Sequence, residues 1–206
     1  MGKETKEQIL LETTLFYDQY LYVKDVMRVF LDADAAEKNQ NKSKNFFMIS
    51  ASACIDSYSM TLSRMYEKDS KSKTIYSLIN KCKNNKDLFE KPDEMMEYLT
   101  TFNRNLKQDE YLKNAINILS HRRNKIFAHN DKECFIEYPT EFSDGTKNHV
   151  PLFQLWMLIK VTGELLQKIS HELGCDIENL MSVKYDGDLT DLIDMEHLRR
   201  DTLLDL

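Results

Sequence analysis

The chain has 206 residues, only five of them Gly and three Pro, and a formal net charge of −6 at pH 7. This length allows one domain with a substantial core. The scarcity of Gly and Pro argues against β-sandwiches and other folds that need many tight turns. Because the long segments have helical periodicity and are rich in Leu, Met, Lys and Glu, we predict an all-α fold.

The first predicted helix spans about residues 6–38, where apolar residues return at steps of three and four. Its inward residues are Leu10, Phe16 or Tyr17, Tyr20, Val23, Met27 and Phe30. A polar connector at 37–44 follows, with Ser43 as a candidate N-cap. The second helix carries one apolar stripe, and Asp56 lies off it. This stripe comprises Phe47, Ala51, Cys54, Tyr58, Leu62 and Met65. We interpret the aromatic residues of both helices as core rather than as a base-stacking platform.

The middle of the chain is predicted to hold shorter helices. A charged break at 68–73 precedes a short helix at 74–82, and 83–91 is a loose segment. Pro92 followed by two acids is a favourable helix start. One helix or two then occupy residues 95–128. The inward residues there are Leu106, Leu112, Ala115, Ile116, Leu119 and Ile126.

The last third contains one strong helix. Residues 134–139 are a candidate extended piece, and 142–150 have the composition of a turn-rich loop. A strongly apolar helix at 151–173 ends at Gly174, a natural C′ residue. We therefore predict a helical domain at 1–174, a bundle of four or five main helices. An acidic tail at 175–206 follows, with a weak amphipathic stretch at 189–204.

Several cellular settings are disfavoured by the sequence. No run of eighteen apolar residues is present, so we expect no transmembrane helix and no membrane partner. The first residues lack the apolar segment of a signal peptide, and Lys6 argues against myristoylation of Gly2. We therefore expect a cytoplasmic protein whose widely spaced cysteines are reduced packing thiols. These are Cys54, Cys82, Cys134 and Cys175.

The negative charge is confined to the predicted tail. From Cys175 onward there are nine acids and three bases, which leaves residues 1–174 with 25 charges of each sign. Residues 113–132 hold five bases against one acid, Asp131. Such a focused positive patch is compatible with binding a short stretch of RNA. The tail is either a solvated end or a mimic of nucleic acid that covers this patch.

Residues 121–131, with the sequence HRRNKIFAHND, concentrate cationic and titratable groups at the end of an apolar-periodic segment. At 100° per residue, Arg123 falls on the inward stripe, whereas Arg122 shares a face with His129. A guanidinium directed inward needs an anionic partner. Arg123 is therefore either in a structural ion pair, for instance with Asp56, or held at a subunit interface to meet a phosphate.

Ordinary structural interpretations also exist for these residues. His129 at a helix C-terminus would interact favourably with the last carbonyl groups. Arg122 and Lys125 fit a solvated helix face. Because His121 and His129 are eight residues apart with no suitably spaced acid, we predict no metal site. The other histidines stand alone and are interpreted as surface residues. These are His149, His171 and His197.

Residues 123–129, with the sequence RNKIFAH, resemble the Arg-polar-x4-His motif of HEPN (higher eukaryotes and prokaryotes nucleotide-binding) domains. The helix count, the near full-length coverage and the Asn-Asp pair after the histidine are most similar to the abortive-infection, AbiU-type branch. The second helix is also similar to that branch, in its Ile55-Asp56 and Leu62-Ser63-Arg64 segments.

The resemblance implies an HEPN-like homodimer whose two motifs face each other across a cleft and cleave RNA without a metal or cofactor. His129 would handle a proton at the 2′-hydroxyl or at the leaving oxygen. Arg123 would stabilise the phosphorane-like transition state, and Asn124 would orient the phosphate or the arginine. The candidate substrate-binding residues are Arg122, Lys125 and His121.

The function implied is a metal-independent endoribonuclease of a phage-defence or toxin–antitoxin system, with an antitoxin or regulatory protein as a candidate partner. One departure concerns Asp131, because some HEPN toxins carry there a Tyr that a partner nucleotidyltransferase modifies. Neutralisation by that route is therefore not expected. Two alternatives are a non-catalytic module that binds RNA, nucleotide or protein, and a structural dimer with Arg123 tied to Asp56. Which of Arg122 and Arg123 faces the cleft is left open.

Overall fold

The computed structural model describes residues 4–39, 44–68, 72–128, 141–142 and 144–180. Its helices are α1 Lys6–Asn39, α2 Lys44–Met65, α3 Ile75–Asn84, α4 Pro92–Gln108, α5 Glu110–Arg122, α6 Leu152–Glu172 and α7 Ile177–Leu180. A 3₁₀ turn, Lys86–Leu88, follows α3, and a π-helical turn, Arg123–Ala128, continues α5. Within these ranges the β-structure is a single isolated bridge between Glu141 and Lys147. The predicted all-α bundle is confirmed, and the helices of at least thirteen residues are α1, α2, α4, α5 and α6.

One large apolar core draws side chains from all seven described helices. The most extensive packing is between α1 and α2, while α5 packs against α2, α4 and α6. The predicted inward residues Val23, Met27, Leu62 and Met65 are buried. Helical periodicity therefore identified the core faces of α1 and α2, as expected for amphipathic helices that pack in a bundle.

The side chain of Asp109 caps α5 at the boundary between α4 and α5. Asp109 accepts hydrogen bonds from the backbone N–H groups of Tyr111 and Leu112, both at 3.0 Å. An aspartate in this position satisfies amide groups that the first turn leaves without helical partners. Residues 95–128, which the sequence assigned to one helix or two, therefore contain two α-helices divided at Asp109.

Other helix ends follow the residues expected of them. At the start of α3, Thr74 and Ser77 form a reciprocal capping box. Gly174 has a φ of 68° just beyond α6, in the left-handed region that glycine adopts at low cost. The predicted end of the long apolar helix is thus confirmed.

The close approach of α1 and α6 depends on Gly163. A Cβ atom at this position would lie 2.6 Å from Cζ of Tyr20, so the tyrosine ring occupies the space of a side chain. The hydroxyl of the preceding residue, Thr162, donates to the carbonyl of Leu158 at 2.6 Å. Its oxygen is 2.5 Å from the hydroxyl of Tyr66, the residue directly after α2, and this hydroxyl therefore donates to it. The hydroxyls buried at this crossing thus satisfy each other.

Several predicted features lie outside the described residues. They are the N-cap Ser43, the extended piece at 134–139, the tail helix at 189–204, and the motif residue His129. Cys54, Cys82 and Cys175 are free thiols, as expected. Ile177, beyond the predicted domain boundary, is 1% exposed in the core, and the boundary at 174 stays a prediction. Across the described ranges, every helix is too short or too polar to cross a membrane.

Candidate functional site

The candidate residues lie where α5 changes its winding. The helix is α-helical to Arg122 and π-helical from Arg123 to Ala128. A π-turn closes its hydrogen bonds over five residues rather than four, and such turns are frequent at functional sites. The α-helical angle of 100° per residue therefore no longer predicts which face a residue occupies from Arg123 onward, where the motif begins.

Arg122 is a buried structural residue. It is 3% exposed, and its Nη2 atom donates to Oδ1 of Asp56 on α2 at 2.5 Å. Its Nη1 atom donates to the main-chain oxygen of Asn148 at 3.1 Å and also to the side-chain oxygen of that fully buried residue. Arg122 thus ties the end of α5 to α2 and to the segment before α6. The interpretation of Arg122 as part of a solvated face is wrong, because its partners carry it into the core.

Arg123 has a different partner and greater exposure. Its Nη1 atom lies 2.6 Å from Oε1 of Glu67, just after α2, and its side chain is 32% exposed. The suggested pairing of Arg123 with Asp56 is wrong, since Arg122 takes that carboxylate. A guanidinium carries five N–H donors, so the contact at Nη1 leaves donors of this partly exposed side chain for an anion.

His121 faces the short segment that follows the described gap. Its Nε2 atom lies 3.3 Å from Oδ2 of Asp144, and its ring centroid is 4.7 Å from that of Phe142. Hydrogen bonds from Thr146, and then the charges of His121 and Lys125, lower the pKa of Asp144. Asp144 is therefore ionised near neutral pH, and its contact with His121 holds this segment against α5.

The remaining motif residues divide between solvent and protein. Asn124 is exposed, and Lys125 is half-buried. Ile126 is buried against Phe142. Arg123 and Asn124 therefore occupy the accessible part of the π-helical turn. His129 lies outside the described residues, so its assignment as the proton-transfer residue stays a prediction.

Sequence reasoning missed Asn148 and gave His149 no role. Asn148 contacts Arg122 across 26 positions, and no local pattern in the sequence indicates such a contact. His149 is exposed. Partial desolvation by neighbouring protein atoms, and then the charge of Arg122, lower the pKa of His149, while Asp56 acts in the opposite direction. His149 thus resists protonation more than an ordinary histidine does.

The described residues do not form a cluster of metal ligands. Within the ranges that the structure describes, no three His, Cys, Asp or Glu side chains lie close enough to hold a metal ion. The expectations of no metal and no cofactor stay predictions, because His129 and the acidic tail are not part of those ranges.

Comparison with known proteins identifies the family. The HEPN_AbiU2 family model, described as AbiU2, matches residues 6–193, which is nearly the whole chain. The chain therefore belongs to the AbiU2 branch of the HEPN superfamily, and the resemblance inferred from the sequence is confirmed. No curated protein and no solved structure matches the chain significantly.

Proposed function

We propose that the protein is a metal-independent endoribonuclease that acts as a homodimer in an abortive-infection or toxin–antitoxin system. One observation carries the proposal. In a chain of the AbiU2 family, the arginine that matches the Arg-polar-x4-His motif is partly exposed at a π-helical turn. Its neighbour Arg122 is buried and committed to the fold, which leaves Arg123 as the arginine able to meet a substrate.

The chemistry suits these residue types because RNA carries its own nucleophile. The 2′-oxygen loses its proton and attacks the adjacent phosphorus, and the bond from phosphorus to the 5′-oxygen breaks as that oxygen gains a proton. His129 handles these protons. Arg123 stabilises the charge that grows on the non-bridging oxygens, with Asn124 orienting the phosphate. The products carry 2′,3′-cyclic phosphate and 5′-hydroxyl ends.

A second copy of the chain completes the site in this proposal. An exposed apolar stripe on α1 supports self-association, because large exposed apolar surfaces mark interaction sites. Its four residues fall within about 40° on a helix of 100° per residue. They are Leu11, Leu15, Tyr22 and Val29, exposed by 62%, 48%, 49% and 40%.

The test is RNA cleavage by the purified full chain in EDTA. We expect the wild type to leave 2′,3′-cyclic phosphate ends, and His129→Ala and Arg123→Ala to cut at least about 100-fold more slowly. His171→Ala is the matched control, since this exposed histidine lies on α6 and should leave the rate unchanged. No cleavage by the wild type, or equal cleavage by His129→Ala, would contradict the proposal. A monomer in light scattering would contradict the composite site.

A non-catalytic RNA-binding module is the second candidate. It is favoured by the contact of Arg123 with Glu67, since the carboxylate already supplies the arginine with a counter-charge. This alternative predicts that the wild type binds RNA without cutting it, and that the only effect of Arg123→Ala is weaker RNA binding.

A further inference from the structure

A lysine-rich groove of about 1150 Å³ opens between the end of α2 and helices α3, α4 and α5. Six lysines line it, and Glu67 is the one carboxylate among its described lining residues. We call this feature the lysine groove. Its lysines are Lys68, Lys73, Lys81, Lys83, Lys107 and Lys113.

Among the described residues, most of this positive charge has no acidic partner. Lys68, Lys73, Lys107 and Lys113 are exposed. In the described part of the chain, none of these four has a carboxylate within the 4.0 Å of an ion pair. Lys81 differs, because it donates to Glu12 and lies 3.8 Å from Glu4. The groove therefore presents lysines from three separate segments to any anion that enters it.

Uncharged hydrogen-bonding groups lie between the lysines. Asn80 and Asn84 line the groove from α3, Asn103 from α4 and Asn117 from α5. Each amide offers two N–H donors and a carbonyl acceptor, and can therefore pair with a base edge, a ribose hydroxyl or a phosphate oxygen. A surface that only repelled other cations or kept the protein soluble would not need asparagines between its lysines.

The groove borders the candidate catalytic arginine. Glu67 lines the groove and contacts Arg123 at 2.6 Å. A chain of phosphates in the groove would therefore reach Arg123. The volume exceeds the roughly 300–1,000 Å³ of typical small-molecule pockets. Both facts favour a polymer over a single nucleotide. Single-stranded RNA fits best, because its unpaired base edges are accessible to the asparagines.

The geometry points to the lysine groove as the track that binds single-stranded RNA and leads it to Arg123. The choice of RNA rests on the proposed function, whereas the presence of a polyanion track does not. Lysines hold the phosphates, the asparagines contact bases or ribose, and Glu67 marks the end of the track next to Arg123.

Binding is measured in the full-length His129→Ala background, so that cleavage does not interfere. Fluorescence anisotropy of a labelled, unstructured RNA compares Lys107→Glu with Lys113→Glu as a double variant against Lys86→Glu with Lys160→Glu. The control lysines are exposed, lie outside the groove, and give the same change in net charge. We expect the groove variant to lose at least about tenfold in affinity, and its salt slope to fall by about 1.4 if two phosphate contacts are lost. The control should stay within about twofold.

Equal losses in both double variants, or no loss in either, would overturn the proposal. A polyglutamate of matched charge tests for a general polyanion site. If the groove variant weakens polyglutamate binding as much as RNA binding, the groove is a general polyanion site and its assignment to RNA is wrong.

The cleavage assay separates this proposal from the proposed function. If the wild type cuts RNA and the groove variant cuts it with unchanged KM, the groove is wrong and the nuclease stands. If the groove variant loses RNA binding but the wild type never cuts, the groove stands and the nuclease is wrong. Circular dichroism checks that both variants are folded, and we expect spectra like that of the wild type.

Discussion

Arg122 and Arg123 are consecutive residues in opposite environments. Arg122 is 3% exposed and donates to Asp56 and Asn148. The side chain of Arg123 is 32% exposed and contacts Glu67 at the edge of the lysine groove. The first arginine joins three parts of the bundle, and the second is presented to whatever enters the groove.

The difference shows that the role of an arginine in a basic motif depends on the residues it contacts and not on its position in the motif. A buried ion pair adds little net stability compared with an apolar pair, yet losing one member is costly. Its effect is to fix geometry. Here the Arg122–Asp56 pair joins the last residue of α5 to α2, directly before the π-helical turn that carries Arg123.

The largest effect is expected from removing the buried arginine. Arg122→Ala leaves both oxygens of Asn148 without their arginine donor and Asp56 without its counter-charge, so it should cost about 3 kcal/mol of unfolding free energy. Arg123→Ala breaks a partly exposed pair and should cost less than about 1 kcal/mol. Urea denaturation measures both. Equal costs would mean that the two arginines do not differ as described.

The next effect separates charge from hydrogen bonding. Asp56→Asn retains an oxygen that can accept from Arg122 but removes the counter-charge of a buried guanidinium, and should cost about 2 kcal/mol. The matched change at the other arginine, Glu67→Gln, should cost no more than about 0.5 kcal/mol. A larger cost for Glu67→Gln, measured by the same urea titration, would reverse the comparison.

Glu67→Gln should also change RNA affinity. The substitution removes the one described carboxylate of the lysine groove, so RNA binding in the His129→Ala background should tighten by about two- to fivefold at low salt. The gain should shrink as salt screens the charges. Unchanged affinity in anisotropy titrations at low salt would show that RNA does not pass Glu67.

The smallest effect is a dependence of stability on pH that arises at His149, close to Arg122. The folded-state pKa of His149 is lowered, by desolvation first and by Arg122 second. The unfolded chain therefore binds the proton more readily, and stability present above the ordinary value of about 6.5 is lost as pH falls below it. On moving from about pH 7.5 to about pH 5.5, the wild type should lose more stability than His149→Gln in urea titrations. An equal loss in both proteins would mean that the folded-state pKa of His149 is not lowered.

Much of the fold could be predicted because the long helices carry periodic apolar residues. In α1, Val23 and Met27 are buried as expected, and Gly174 ends α6 in the left-handed conformation. The division between α4 and α5 was not resolved, because apolar residues continue on both sides of Asp109. Its capping hydrogen bonds, rather than a break in periodicity, mark the boundary.

The candidate site was harder to predict, because its contacts are distant in sequence. The inward stripe through Leu112, Ile116 and Leu119 placed Arg123 where a core or interface residue belongs. However, Ile118 is buried too, so the buried face of α5 is wider than that stripe and includes Arg122 one turn later. The partner that makes its burial tolerable, Asp56, is 66 positions away. The lysine groove has the same character, since three helices and the segment between α2 and α3 bring its residues together.

The π-helical turn also has a consequence for local stability. Because π-helical hydrogen bonding is rare and confined to short turns, we expect Arg123–Ala128 to open at a lower free energy than the α-helical part of α5. Binding elements are commonly drawn from such weakly held segments, whereas the core reports the global unfolding free energy. Of two adjacent arginines, we therefore expect Arg122 to lose its contacts only on global unfolding, and Arg123 to rearrange around a substrate while the bundle stays folded.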